Sequence, residues 1–347
     1  MSLKTYSESM FPAIEKELQR MAARLDEPRT RLFHEMLTYH MGWSGEGCGP
    51  DATGKRIRPQ LLLLTCAASS RSSEKAGNEA ELWQGALPAA ACVELIHNFS
   101  LVHDDIQDVS DLRRGRLTVW KKWGMPQAIN AGDALFILAQ LALLEIKDKF
   151  PPEVTLQAGV IINKACLALS SGQFLDISYE QRIGLSIEEY WPMISGKTAA
   201  LLSACTQVGA ILGGADNATQ ENYCGFGHYL GLAFQVQDDY LGIWGDSAMT
   251  GKSTESDLVA GKKTLPVLYG LANHGAFANR WAEGPIQANE VILLSEQLAE
   301  EGAKLYTLQA ADQMTDLALQ SLRAADPQGD AGEALFELAN VLLNRQA

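Results

Sequence analysis

LVHDDIQDVSDLRRG, residues 101–115, follows directly on an apolar segment with helical periodicity. Asp104 and Asp108 are four residues apart, so a helix places both carboxylates on one face. Like charges at this spacing destabilise a helix unless a cation binds between them. Carboxylates that leave room for water and phosphate oxygens are the usual protein ligands of Mg²⁺. The alternative interpretation is a solvated helix end whose acidic residues are balanced by Arg113 and Arg114.

A second acidic sequence, FQVQDDYLG at residues 234–242, lies in another apolar segment. Two acidic patches on otherwise core-like helices cost free energy unless they line a shared cavity. Facing each other, the two patches would form a multi-metal site. The alternative is an exposed strip, but the apolar residues before and after the sequence argue against full exposure.

Apolar residues recur at spacings of three and four along most of the chain, which predicts helices. The predicted segments are an N-terminal one marked by Ile14, Leu18, Met21 and Leu25, and then 58–69, 80–105, 126–148, 152–179, 187–213, 218–245, 264–274, 289–300, 303–324 and 331–345. Several are apolar on most faces, as the central helices of a bundle are. No Pro-rich or low-complexity linker divides the chain. We therefore expect residues 1–347 to form one all-α domain, a large helical bundle with a central active-site cavity.

Composition limits the classes of function. The chain has 42 acidic and 28 basic residues, a net charge of −14, which opposes general nucleic-acid binding. Its six cysteines are scattered without metal-ligand spacing, which fits a reducing cytoplasm. The richest apolar stretch, residues 134–146, is shorter than the ~18 residues a membrane span needs. We expect a cytoplasmic protein with no integral membrane segment.

Cationic residues cluster near the acidic ones. GKRIRP at 54–59 places Lys55 and Arg58 at a predicted helix start, where the helix N-terminus also favours anions. Each cation alone could be a solvated surface residue. Together they indicate several anion sites beside two carboxylate sites, as two diphosphates would need. His97 lies seven residues before Asp104 on the same helix face, where a structural role and a ligand role are equally open.

The motifs resemble those of the polyprenyl synthetase family, the trans-prenyltransferases of the isoprenoid synthase fold. The resemblance runs from about residue 54 to residue 266. GKRIRP resembles the first basic motif and LVHDDIQDVSDLRRG the first aspartate-rich motif. SGQFLD (171–176), SGKT (195–198) and FQVQDDYLG resemble the remaining motifs, in the family's order. The resemblance implies condensation of isopentenyl diphosphate with an allylic diphosphate, dependence on Mg²⁺ or Mn²⁺, and a homodimer.

The resemblance also assigns roles to single residues. Those implied to bind the metal are Asp104, Asp105 and Asp108 and, in the second motif, Asp238 with Asp239 in support. Those implied to contact the allylic diphosphate are Arg113, Lys197, Thr198, Gln235, Lys252 and Lys262. Those implied to hold isopentenyl diphosphate are Lys55, Arg58, His97 and Arg114, while Gln173 and Asp176 resemble a supporting pair on the central helix. The catalytic set is Asp104, Asp105, Asp108, Asp238 and Lys197.

One position departs from the family pattern. The third aspartate of the second motif is replaced by Gly242, which leaves Asp238 as the main ligand there. Asp246, one loop further on, is a candidate helper. The substitution puts full metal occupancy of this motif in doubt.

Product length follows, by the same resemblance, from two residues. The fourth and fifth positions before the first aspartate set the floor of the product tunnel, and here they are Ser100 and Phe99. A large Phe99 beside a small Ser100 resembles geranylgeranyl diphosphate (C20) synthases. Farnesyl (C15) or longer polyprenyl products are the alternatives.

Three other functions remain as rivals. A class I terpene cyclase shares the aspartate-rich chemistry but normally lacks the isopentenyl diphosphate site that GKRIRP and Arg113-Arg114 indicate. A metal phosphohydrolase would need further histidines at helical spacing, which the sequence does not show. A non-catalytic subunit of a prenyltransferase would be expected to lose the first aspartate motif, which is complete.

Overall fold

The structure, a computed structural model, describes residues 2–69, 79–245 and 256–343. Within these ranges it is all-α apart from one short hairpin, as predicted. The first half contains α1 (Leu3–Ala22), α2 (Arg31–His40), α3 (Pro50–Thr53), α4 (Ile57–Ala68), α5 (Glu79–Gly85), α6 (Leu87–Gln107), β1 (Leu112–Arg113), β2 (Arg116–Leu117), α7 (Val119–Trp123), α8 (Met125–Leu144) and α9 (Pro152–Glu180). The second half contains α10 (Ile187–Ile194), α11 (Ala200–Leu212), α12 (Asn217–Trp244), α13 (Ser256–Val259), α14 (Leu265–Ala272), α15 (Ala276–Ala282), α16 (Val291–Glu300), α17 (Ala303–Ala325) and α18 (Gly329–Leu343).

The long predicted helices are confirmed, and two predicted segments are each divided in two. The segment 80–105 is two helices, because Pro88 lies in the first turn of α6, where its missing N–H costs nothing. The segment 187–213 is interrupted by a five-residue π-helical turn, Ser195–Ala199. Insertions of this kind are frequent at functional sites.

Contacts divide the chain into two compact units. The first comprises Met1–Ile162, Cys205–Gln220 and Pro327–Leu335, and the second comprises Asn163–Ala204, Glu221–Asp326 and Phe336–Ala347. Each unit has a hydrophobic core of its own. The single domain expected over residues 1–347 stays a prediction.

The core of the first unit contains a buried cation. Arg56 precedes α4 in a left-handed backbone conformation, with φ of 48°, and its guanidinium is fully buried. Its Nε donates to Glu15 of α1 at 2.6 Å, and its Nη1 donates to Glu94 of α6 at 2.8 Å. The two carboxylates compensate the buried charge, and removing one partner of such a pair costs about 3–5 kcal/mol. The arrangement fixes the start of α4 against α1 and α6.

In the second unit, a buried cluster joins α12 to the helices that follow it. Ile243, near the end of α12, packs in one cluster with Leu258 of α13 and Val267 of α14. The cluster continues through Phe277, Ile286, Val291, Leu294, Leu298 and Ala303. It anchors α13 next to the end of α12 that carries the second acidic motif.

Two helices are long and apolar enough to cross a membrane by length and composition. They are Met125–Asp148 and Pro152–Glu180, whose most apolar windows of 18 residues have mean hydropathies of 1.6 and 1.3. Core helices of water-soluble proteins pass the same test, and 44% and 33% of these windows are buried within the protein. The pair is weak support for a membrane protein, and the expectation of no integral membrane segment stays a prediction.

Two glycines allow α9 to contact the π-helical turn closely. A Cβ at Gly172 of α9 would meet the carbonyl carbon of Gly196 at 2.7 Å and the Met193 carbonyl oxygen at 2.8 Å. A Cβ at Gly196 would in turn meet the Cα of Gly172 at 3.0 Å. Backbone atoms cannot yield as a flexible side chain does, so both positions require glycine. The glycines of the SGQ and SGK sequences are therefore packing partners.

Gly172→Ala should lower the free energy of unfolding by about 1–3 kcal/mol, because the new methyl group overpacks this contact. Gly159 of the same helix has no neighbouring atom of the described residues within 4 Å of its would-be Cβ. Gly159→Ala should therefore raise stability by up to about 1 kcal/mol through helix propensity. Chemical denaturation of both variants measures the difference, and equal stabilities would contradict the packing role of Gly172.

Candidate active site

The first acidic sequence forms the C-terminal end of α6. The helix ends after Gln107, because Val109 adopts a left-handed conformation with φ of 51°, an unfavourable one for a β-branched residue. Asp104 is half-buried, Asp105 is buried and Asp108 is exposed. Asp104 and Asp108 lie one turn apart at this end of the helix, on the same face, as predicted. Strained backbone of this kind is often retained at functional sites.

Asp105 is buried with only part of its hydrogen-bonding capacity used. Its Oδ1 accepts a hydrogen bond from Nε of Arg113 at 2.7 Å, while its Oδ2 has no partner among the described residues. Burial raises the pKa of this carboxyl to about 6, Arg113 opposes the rise, and Asp104 and Asp108 add to it. A buried carboxylate oxygen without a donor, beside two more aspartates, is a position that a cation would stabilise.

The carboxylates do not form a closed metal site by themselves. In the ranges that the structure describes, no three His, Cys, Asp or Glu side chains are grouped so as to hold an ion. Mg²⁺ is usually bound by one or two carboxylates together with water and substrate phosphates. The aspartates of α6 therefore fit a divalent cation whose remaining ligands come from a diphosphate.

The hairpin after α6 presents two arginines. Its turn residues Arg114 and Gly115 have φ of 52° and 72°, the conformation of a type I′ turn. Arg113 binds Asp105, and Nη1 of Arg114 donates to the Ala52 carbonyl at 2.7 Å. Because Ala52 precedes the GKRIRP segment, this bond holds the hairpin against that segment.

His97 lies among the arginines of the first unit. Burial lowers the pKa of its imidazole well below the ordinary value, and Arg58, Arg114 and Arg113 lower the pKa further. His97 is therefore neutral near pH 7 and accompanies three predicted anion ligands. Lys55 is exposed at the start of the same segment.

One residue in these surroundings was not predicted. A pocket beside the hairpin is lined in part by His40, Ala52, Asp105, Arg113 and Arg114. Burial and the neighbouring arginines lower the pKa of His40 to about 3, so its ring is neutral. The only sequence signal was the apolar spacing in α2, which was not among the predicted helices.

In the second unit, Asp239 is buried and saturated by protein donors. Its Oδ2 accepts from the Tyr190 hydroxyl at 2.6 Å and from the Leu265 N–H at 3.0 Å, and its Oδ1 accepts from Gln235 at 2.9 Å. Burial raises the pKa of this carboxyl to about 7 against the lowering effect of these hydrogen bonds. These three hydrogen bonds fit the supporting role predicted for Asp239. Asp238, next to it on α12, is half-buried.

The π-helical turn brings Lys197 and Thr198 into contact with residues of two other motifs. The Lys197 ammonium forms an ion pair with Asp176 of α9, and Thr198 donates to the Gln235 side chain at 2.7 Å. Gln173 is buried one turn before Asp176. The second unit thus groups residues of SGQFLD, SGKT and FQVQDDYLG.

Of the two lysines predicted to bind diphosphate after the second motif, the structure describes one. Lys262 is exposed, and Lys252 and Asp246 lie outside the described residues. Lys263, which was assigned no role, donates to the Tyr179 and Glu180 carbonyls at the end of α9, at 2.6 and 3.2 Å.

The carboxylate of Asp257, which was not predicted as a site residue, lies beside Gly242. A Cβ built on Gly242 would collide with the carboxylate of Asp257, at the start of α13. Asp257 is held there because its neighbour Leu258 is fully buried in the same cluster as Ile243. No periodic pattern predicts this contact, since 15 residues separate the two positions.

The two residues predicted to set product length, Ser100 and Phe99, lie on different sides of α6. Ser100 is buried and donates to the His97 carbonyl at 2.8 Å, on the helix face of Asp104. Phe99 is half-buried, and its ring contacts Phe136 of α8 edge-on.

Comparison with known proteins identifies the family. Residues 49–289 match the family model described as polyprenyl synthetase. The chain is 37% identical over 341 residues to the (2E,6E)-farnesyl diphosphate synthase of Mycobacterium tuberculosis, covering 95% of this chain and 90% of that one. It is 35% identical to the geranylgeranyl diphosphate synthase of the same organism, covering 90% and 86%.

Solved structures agree with the sequence comparison. A polyprenyl synthetase from Streptomyces coelicolor superposes with a TM-score of 0.85 at 35% identity, covering 98% of this chain and 99% of that one. A geranylgeranyl pyrophosphate synthetase from Pyrococcus horikoshii gives a TM-score of 0.84 at 32% identity, covering 99% and 98%. The order of motifs, the helical fold and these matches agree, and the chain belongs to the polyprenyl synthetase family.

Proposed function

We propose that this protein is a trans-prenyltransferase that joins isopentenyl diphosphate head-to-tail to an allylic diphosphate and requires Mg²⁺ or Mn²⁺. The observation that carries the proposal is the buried Asp105 at the end of α6. It shares one oxygen with Arg113 and has no described partner for the other, beside Asp104 and Asp108. Anionic and cationic groups are thus in contact where a metal-bound diphosphate would need both.

The proposed metal ligands are Asp104, Asp105 and Asp108 in the first unit and Asp238 in the second. A divalent cation held by such carboxylates would neutralise charge that develops on a departing diphosphate. Arg113 in the first unit and Lys197 in the second would stabilise diphosphate charge directly, since each is placed by an ion pair with a carboxylate. Thr198 and Gln235, joined by a hydrogen bond, would donate to the allylic diphosphate, as would Lys252 and Lys262.

Isopentenyl diphosphate is assigned to the basic residues of the first unit. Lys55, Arg58 and Arg114 would bind its diphosphate, and neutral His97 would donate a hydrogen bond without adding charge. Arg114 is already oriented by the Ala52 carbonyl, which reduces the entropy lost on binding.

The reaction would then proceed in three steps. The allylic C–O bond breaks to give a carbocation and diphosphate, the isopentenyl double bond attacks the cation, and loss of one proton gives a product longer by five carbons. The released diphosphate is the proposed base, so the scheme needs no catalytic histidine. Apolar side chains around the cation would exclude water, which would otherwise capture it.

The proposed main product is geranylgeranyl diphosphate, on the basis of Phe99 and Ser100. Farnesyl diphosphate is the alternative, supported by the 37% identity to a farnesyl diphosphate synthase. A longer polyprenyl product is the other alternative. A terpene cyclase or a non-catalytic subunit is disfavoured by the grouping of Arg58, His97 and Arg114 and by the complete first motif.

We propose that Asp257 takes the place of the carboxylate missing at Gly242. Gly242 is one helical turn after Asp238, so a side chain there would lie beside Asp238. The Asp257 carboxylate occupies the space where that side chain would begin. Asp257 also contributes to the raised pKa of Asp239, which indicates that its charge acts on the second motif.

A homodimer in the cytoplasm completes the proposal. Met125, Ile129, Ile137 and Leu141 are exposed apolar residues of α8. Exposed apolar residues that recur along one helix favour an interaction surface. A second copy of the chain is the proposed partner, and gel filtration with light scattering would measure it.

The reaction class is tested by incubating the protein and Mg²⁺ with isopentenyl diphosphate alone, an allylic diphosphate alone, or both. We expect a longer prenyl diphosphate only when both are present. Release of diphosphate and hydrocarbon from the allylic substrate alone would favour a cyclase. No product under any condition, from folded protein, would favour a non-catalytic subunit.

Asp257→Asn should raise the Mg²⁺ concentration needed for half-maximal rate by about 10–100-fold, the usual effect of losing a group that supports a metal. The double variant Gly242→Asp/Asp257→Gly should recover much of this loss, because it returns the carboxylate to α12. Asp312→Asn, at an exposed position of α17, is the matched control. An unchanged Mg²⁺ dependence in Asp257→Asn would contradict the assignment.

Phe99→Ala should shift the product from C20 to longer chains, because it removes the proposed floor of the tunnel. The measurement is the size of the dephosphorylated alcohols formed from a C15 primer and labelled isopentenyl diphosphate. A C20 product from the variant would mean that Phe99 is not the floor.

A further inference from the structure

An aromatic contact between α6 and α8 holds the ring of Phe99. The ring centroids of Phe99 and Phe136 are 5.0 Å apart at 64°, an edge-on arrangement. Phe99 also contacts His103 edge-on, with centroids 5.7 Å apart at 87°. Phe99 and His103 are one turn apart on α6, so the Phe99 ring has one aromatic neighbour on its own helix and one on α8.

His103 packs closely against α8. A Cβ at Gly132 of α8 would overlap the His103 ring, which shows how closely the two helices approach there. Nε2 of His103 also lies 3.4 Å from the Ile129 carbonyl oxygen and 3.6 Å from Oδ1 of Asp133. Of the two aromatic neighbours of Phe99, Phe136 is the one that α8 itself contributes.

The positions of Ser100 and Phe99 around α6 explain why the contact with Phe136 matters. Successive residues of an α-helix are about 100° apart, so Ser100 lies about 40° from Asp104 around α6 and Phe99 about 140°. Ser100 is therefore on the aspartate face, whereas Phe99 leaves the helix toward α8. How far the Phe99 ring blocks a chain growing past Ser100 depends on what supports the ring from α8.

We propose that Phe136 is a positioning residue for product length: it holds the Phe99 ring in the orientation that ends chain growth. The inference rests on the proposed function and on Phe99 as the floor. A smaller residue at 136 leaves space into which the Phe99 ring turns, and the tunnel deepens although Phe99 itself is unchanged. Phe136 then determines specificity without touching the reacting atoms.

The test is the product length made by Phe136→Ala and by the milder Phe136→Leu from a C15 primer, labelled isopentenyl diphosphate and Mg²⁺. We expect the ratio of longer product to wild-type product to rise roughly tenfold or more in Phe136→Ala, and less in Phe136→Leu. Leu305→Ala, at an exposed position of α17, is the control and should leave the ratio unchanged.

Combination with Phe99→Ala distinguishes positioning from a separate wall. If Phe136 acts through Phe99, the Phe99→Ala/Phe136→Ala double variant gives the same product distribution as Phe99→Ala alone. Additive lengthening in the double variant would overturn the proposal, as would wild-type product length from active Phe136→Ala. If Phe136→Ala does not fold, Phe136→Leu is decisive, and wild-type product length from that variant overturns the proposal.

The same assay separates this inference from the proposed function. No prenyl product from the wild-type protein with any primer would refute the transferase activity itself. A wild-type product with unchanged length in both Phe136 variants would refute only the positioning role.

Discussion

The buried ion pairs of Arg56 with Glu15 and Glu94 are the interaction on which the first unit depends. They connect α1, the start of α4 and α6 through one guanidinium that has no access to water. A buried charge must be compensated, so these three elements cannot separate without a large cost. Lys55 directly precedes Arg56 in the chain, and Arg58 follows it by two residues. The ion pairs therefore place this basic motif relative to the end of the helix that carries the aspartates.

The two acidic motifs offset the cost of burying a carboxylate in different ways. Asp105 and Asp239 occupy equivalent second positions in their motifs, and burial raises the pKa of both. Asp239 receives hydrogen bonds from Tyr190, Gln235 and Leu265, so both of its oxygens have partners within the protein. Asp105 retains an oxygen without a donor in the described part of the chain, which a bound cation would stabilise. The family resemblance assigns Asp239 a supporting role, but the sequence does not show which carboxylate oxygens receive protein donors.

Sequence predicted the long helices because they follow from local patterns. The periodicity of α6, α9 and α12 is sustained over many turns, and three of the five motifs begin on them. The roles assigned to the residues of these motifs stay predictions. The hairpin was missed because each of its strands has two residues, too few for an alternating pattern. The Asp257 contact with Gly242 and the Phe136 contact with Phe99 are tertiary, so no spacing rule could reveal them.

The aspartates at the end of α6 are proposed to bind a divalent cation together with a diphosphate. Counting bound Mn²⁺ by electron paramagnetic resonance, with and without inorganic pyrophosphate, tests this binding directly and needs no turnover. We expect tight binding only with pyrophosphate present, weakened at least roughly tenfold in Asp104→Asn/Asp108→Asn and unchanged in Asp312→Asn. Equal binding in the double variant and in the wild-type protein would contradict the proposal.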